Sequence, residues 1–87
     1  MATTCDWQNL EKHGVTTDEV DEVLFNDPLD FDLEPSKDGN DRILFIGFTY
    51  AGRLLEVGVE YLHEEDEHIF HGMDATKHYR NAFEKRK

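Results

Sequence analysis

Of the five histidines in this 87-residue chain, His13 and His71 stand beside features that would let them do chemistry. His13 lies in the run Leu10-Glu11-Lys12-His13-Gly14-Val15, and His71 precedes Gly72 and Met73. An imidazole changes protonation near neutral pH, so either ring can take up or release a proton. Arg53 follows Ala51-Gly52, and its planar fork can hold two oxygens of one phosphate. Lys12, Lys77 and Arg80 can add positive charge to the same site. Each residue also has a plainer reading. Lys12 and His13 close a helix, where positive charge is favoured anyway. Arg53 pairs with a nearby acid, His71 is a strand-end histidine, and Lys77 and Arg80 belong to a solvated helix face.

A second constellation is His63, Glu64, Glu65, Asp66, Glu67, His68 and His71. Zinc takes imidazole and carboxylate ligands in a tetrahedral set. His68 and His71, however, are an odd number of residues apart and point to opposite faces of a regular strand. The acidic run is therefore expected to be a solvated hairpin loop, and no metal or other cofactor is expected.

The chain carries 9 basic and 20 acidic residues, a formal net charge of −11. Residues 1–41 hold most of the excess acid, while the segment from Ala75 onward is locally basic. Such a field repels nucleic acid and favours basic partners, with the C-terminal segment a local exception. No apolar run approaches the roughly 20 residues of a membrane helix, so no membrane association is expected. The start lacks the basic-then-apolar layout of a signal peptide. The single cysteine, Cys5, has no internal disulfide partner. A cytoplasmic location is the expectation. The length suits one domain, with residues 1–5 a disordered N-terminus and residues 6–87 the folded unit.

These residues must be positioned by a β-hairpin. Arg42–Tyr50 and Arg53–Leu62 are rich in β-branched and aromatic residues and flank Ala51-Gly52. Gly52 suits a turn position with positive φ. In the second run Leu55, Val57, Val59 and Tyr61 share one face, and Glu56, Gly58 and Glu60 the other. Ahead of the hairpin, Asp6 can cap a helix from Trp7 to about His13, with Gly14 as its stop. Thr16 and Glu19 form a capping box, and Val15 and Val20 a hydrophobic staple, for a helix ending near Asn26-Asp27-Pro28. Leu29–Leu33 alternates as a half-buried strand. After the hairpin, Glu67 to about His71 is a fourth strand, and Asp74 caps a last helix with Ala75, Tyr79, Ala82 and Phe83 on one stripe. The expectation is an α+β fold: two N-terminal helices, a four-stranded antiparallel meander and a C-terminal helix, with the helices on one face.

Trp7, Leu10-Glu11-Lys12-His13-Gly14-Val15-Thr16, Phe25-Asn26-Asp27-Pro28, Arg42 ahead of an apolar strand, and Gly52-Arg53-Leu54-Leu55 together resemble the BrnT family of bacterial toxins. The likeness covers about Asp6 to Phe83. It implies a RelE-like and barnase-like ribonuclease fold, metal-independent cleavage of RNA that inhibits translation, and neutralisation by a cognate ribbon-helix-helix antitoxin. Two departures stand out. Typical members carry Ser-Ala-Arg on the last strand, where this chain has His71-Gly72-Met73, and typical members are basic overall.

The chemistry implied by that resemblance sets clear demands. The ribose 2′-OH attacks the adjacent phosphate while a base takes its proton. An acid protonates the leaving 5′ oxygen, and cations stabilise the charged phosphorane. His13 and His71 are the candidates for proton transfer, Lys12 and Arg53 for the phosphate, and Lys77 and Arg80 for wider RNA binding. The rival reading is a catalytically inactive BrnT-like binding module acting through a protein partner, motivated by Met73 in place of the arginine and by the charge.

Overall fold

The computed structural model describes residues 3–86, apart from the side chain of Glu64. The order of elements is β1 (Thr3–Cys5), α1 (Trp7–Lys12), α2 (Thr17–Phe25), β2 (Leu29–Leu33), β3 (Asp41–Phe48), β4 (Leu54–Tyr61), β5 (Glu67–Asp74) and α3 (Lys77–Lys85). A single 3₁₀ turn at His63–Glu65 joins β4 to β5. The fold is α+β.

Local chemistry accounts for the two N-terminal helices. The Asp6 carboxylate accepts the Asn9 N–H at 3.1 Å and starts α1. Gly14, at φ +65°, ends it in the left-handed conformation that a side chain would oppose. Thr16 and Glu19 form the reciprocal capping box, with contacts of 3.1 and 3.0 Å. Val15 and Val20, the staple positions, are both buried.

Strands β2 to β5 form the expected antiparallel meander. The sheet nevertheless has five strands rather than four and is mixed, in the order β1-β5-β4-β3-β2. Residues 3–5, expected in a disordered N-terminus, pair in parallel with β5 from Thr3 opposite Glu67 to Cys5 opposite Ile69. The gain is physical: an uncovered β5 edge would present unpaired backbone groups. The Asp6 N–H extends this pairing with a 2.8 Å bond to the Ile69 carbonyl. Met1 and Ala2 lie outside the described residues.

The helices occupy both faces of the sheet, not one. Leu55, Val57 and Val59 of β4 pack with Leu10, Val20 and Val23 from the α1–α2 side. Leu54 packs on the opposite face with Leu44, Ile46, Ala75 and Phe83, beneath α3. Each such fully buried aliphatic side chain contributes about 1.5–3 kcal/mol. The face of β4 that carries Glu56, expected to have no helix on it, therefore lies beneath α3. β5 also runs past His71 to Asp74, so Thr76, not Asp74, precedes α3.

A bulge interrupts the β4–β5 register between Gly58 and Val59. Gly58 lies opposite His71, and Val59 opposite Ile69. The extra residue, Phe70, lays its ring over Gly58, where an added Cβ would fall 2.6 Å from the ring. The bulge also shifts parity. His68 is opposite Glu60 and His71 opposite Gly58, so both histidines lie on the α3 face. The expectation that they point to opposite faces fails for this reason.

Candidate functional site

Strand β1 covers only Glu67–Ile69 of β5, and the C-terminal half of β5 meets α1 instead. The Asn9 side chain accepts the Gly72 N–H at 3.1 Å, standing in for a strand partner. This contact carries the end of α1, and with it His13, to the edge of β5 beside His71. The two imidazole centroids are 6.4 Å apart, edge to face.

His71 is held from the opposite direction. Its Nε2 lies 3.0 Å from Oε2 of Glu56, on the central strand β4. Glu56 is only 5% exposed. Its other oxygen accepts the Thr76 N–H at 2.7 Å, just ahead of α3, where negative charge is favoured. With Glu56 as a carboxylate, which only accepts, His71 donates through Nε2 and keeps Nδ1 free to take a proton. A buried carboxylate, an oriented imidazole and a second imidazole 6.4 Å away between ring centres are the parts of a proton-transfer site.

Arg53 adjoins this group in a different capacity. The last carbonyls of a helix lack partners within it. Arg53 supplies them: Nη1 donates to the Gly14 carbonyl at 2.8 Å and Nη2 to the His13 carbonyl at 3.1 Å. Nε donates to Asp74 at 2.7 Å, and Nη1 also reaches Glu19 at 3.3 Å. The guanidinium thus ties the α1–α2 connection, the start of α2 and the end of β5 to the hairpin. The hydrogen bond from Arg53, more than any other influence, holds the Asp74 carboxyl below its usual range. The same bond, opposed by partial burial, raises the Arg53 pKa further above its ordinary value. The plain reading of Arg53 as the partner of nearby acids describes what it does here. The fork faces protein acceptors on every side.

The structure sets His13 beside Arg53 through its backbone carbonyl and beside His71 through its ring. It leaves Lys12 apart, on the exposed surface of α1 beside Gln8 and Glu11. Lys77 is exposed in the first turn of α3, and the charge of Arg80 reaches Asp74. Two carboxylates, from Glu19 and Asp74, engage the Arg53 guanidinium, while the third, from Glu56, is taken up by His71 and the Thr76 N–H. Among the described residues no group of three histidine, cysteine or acidic side chains could hold a metal ion. His68 is engaged instead with the Thr4 hydroxyl, 2.7 Å from its Nδ1.

Sequence reasoning missed Glu56, Asp74 and Asn9. For Glu56 a signal existed: the apolar stripe of α3 needed a sheet face, and the face left open by α1 and α2 is the one that carries Glu56.

Elsewhere, an apolar groove of about 310 Å³ opens beside α2, lined by Leu24, Phe25, Phe45 and Tyr61 with Asp21 and Glu67 among them. Phe25 is 83% exposed. No family model matches the chain, and no curated protein matches it in sequence.

Proposed function

We propose that this chain is a metal-independent endoribonuclease of the BrnT-like toxin kind, one half of a toxin–antitoxin pair with a ribbon-helix-helix partner. The observation that carries the reading is the buried Glu56 carboxylate 3.0 Å from His71, with the His13 ring 6.4 Å beyond. His71 Nδ1 takes the 2′ proton while Glu56 fixes the ring and stabilises the imidazolium. The 2′ oxygen attacks phosphorus, and the bond to the 5′ oxygen breaks. His13 returns a proton to that oxygen, leaving a 2′,3′-cyclic phosphate and a free 5′-OH. The motifs around Lys12-His13-Gly14 and Gly52-Arg53 support the family assignment.

The test is incubation of the purified chain with labelled RNA in the presence of a chelator, alongside His71→Ala. Cyclic-phosphate products formed by the parent and lost in the variant support the reading. Intact RNA, together with growth unaffected by expression, overturns it.

A specific observation favours a second reading, an inactive binding module working through a protein partner. The Arg53 fork is engaged by two carboxylates and two carbonyls, whereas phosphate binding relies on available cations. The apolar groove with Asp21 and Glu67 suits an apolar side chain flanked by basic residues on such a partner. Partner binding that persists in His71→Ala, with no RNA cleaved by either form, selects this reading.

A further inference from the structure

Trp7 is the sole tryptophan of the chain, and it is 63% exposed at the start of α1. Large aromatic rings are usually well covered, because leaving them in water forfeits much apolar burial. This one lines a concavity of about 410 Å³ with Glu11, Gly14, Val15, Thr16 and Thr17. Trp7 and Glu11 are four residues apart on the helix and share a face. The Glu11 carboxylate has no side-chain partner among the described residues, and Thr16 is already taken up by the capping box. A flat aromatic surface, a free carboxylate and the Thr17 hydroxyl therefore meet in one hollow.

We propose that this hollow is a nucleobase subsite selective for guanine. A nucleobase stacks on an exposed indole whatever its identity. Selectivity comes from Glu11. An ionised carboxylate only accepts hydrogen bonds. Guanine alone presents two adjacent donors, N1–H and the N2 amino group, on its Watson–Crick edge, and one carboxylate can accept both. Adenine and cytosine set a ring acceptor beside their amino group. Uracil sets carbonyls on both sides of its N–H. Each of these turns a lone pair toward Glu11.

The hollow adjoins the proton-transfer group through one peptide. Gly14 lines it, the Gly14 carbonyl accepts from Arg53, and the preceding residue is His13. The biological use of the subsite rests on the ribonuclease reading, although base binding itself does not. Recognition through a neutral base also suits a chain of net charge −11 whose site arginine is already engaged. Affinity would then depend little on salt, unlike binding through phosphates.

The experiment titrates the intact chain with guanosine, inosine, adenosine, cytidine and uridine while following tryptophan fluorescence, which reports from Trp7 alone. Guanosine should quench the signal saturably, with little salt dependence, and bind at least about tenfold more tightly than adenosine, cytidine or uridine. Inosine, which lacks the N2 amino group, should fall between. Glu11→Gln, at an exposed position, should keep the fold and lose the guanine preference. Trp7→Ala, followed by amide shifts of residues 14–17, should weaken guanosine about tenfold or more, the loss of one stacking platform. Equal quenching by all nucleosides, no saturable quenching by guanosine, or a preference that survives Glu11→Gln overturns the proposal. Guanosine binding without RNA cleavage would leave the subsite standing and remove the nuclease. RNA cleavage by a chain that shows no saturable preference for guanosine would do the reverse.

Discussion

Glu56 and His71 sit on neighbouring strands, diagonal to one another across the sheet, and their side chains meet at 3.0 Å because the bulge after Gly58 brings His71 onto the α3 face. Without the bulge, His71 would point toward α1 and α2 and the contact could not form. Glu56→Gln keeps a carbonyl to accept the Thr76 N–H but lacks the negative charge that stabilises an imidazolium. On the ribonuclease reading, this change should lower the RNA cleavage rate by roughly 100-fold, within the usual range for disrupted proton transfer. Circular dichroism should be unchanged. Single-turnover cleavage of a short RNA measures the effect, and an unaltered rate would show that the pair is structural only.

Arg53 presents the reverse situation, since its contacts predict a stability effect whatever the function. Arg53→Ala leaves the His13 and Gly14 carbonyls and the Glu19 and Asp74 carboxylates without their shared donor. Hydrogen bonds to charged groups contribute about 1.5–3 kcal/mol each when enclosed. These are partly open to water, with 31% of the arginine side chain exposed. A total loss of about 1–3 kcal/mol is therefore expected, read from urea denaturation. Arg53→Lys should recover less than half, because an ammonium cannot span acceptors on both sides of the fork. An Arg53→Ala chain as stable as the parent would mean that the clamp contributes nothing and that the guanidinium is held for a ligand.

The Asp74 carboxyl should show in the acid limb of the stability curve. Its hydrogen bond from Arg53 lowers its pKa below the ordinary 3.8. A carboxyl depressed in the folded state contributes its full share of stability above the unfolded value. That share is lost as pH falls through the lower folded value. Asp74→Asn should consequently lower the melting temperature at neutral pH and flatten its decline below about pH 4. The check is a series of melting curves from pH 6 downward for both chains. Parallel acid limbs would count against the assignment.

What could be read from the sequence was what is local. The Thr16–Glu19 capping box, Leu29–Leu33 and the hairpin around Gly52 depend on neighbouring residues and formed where their signals lay. The pairing of Thr3–Cys5 with Glu67–Ile69 depends on contacts more than sixty positions apart, and three residues carry no periodicity to announce it. The bulge at Gly58 likewise leaves no mark in the alternation of β4, yet it decides which way His71 faces. Glu56 was hidden by that same alternation. Glu56 and Glu60, opposite the apolar face of β4, mark a solvated face only if nothing covers it, and Glu56 lies buried beneath the start of α3. His13, Arg53 and His71 were singled out by residue type. The division of labour among them was not legible, because Arg53 answers to the unpaired carbonyls of α1, and those follow from the fold.

Gly58 offers the sharpest test of the bulge. A Cβ built there would lie 2.6–2.7 Å from the Phe70 ring, far inside contact distance, so Phe70 must move. The ring also receives the Arg42 guanidinium at 5.3 Å, a contact that would go with it. Gly58→Ala should therefore cost about 1–3 kcal/mol, the usual penalty for overpacking. In a Phe70→Ala background the same change has no ring to displace, and its cost should fall by more than half. The double-mutant cycle, measured by chemical denaturation, isolates that coupling. Additive costs would mean that Phe70 does not occupy Gly58. The bulge would then no longer account for the orientation of His71 toward Glu56.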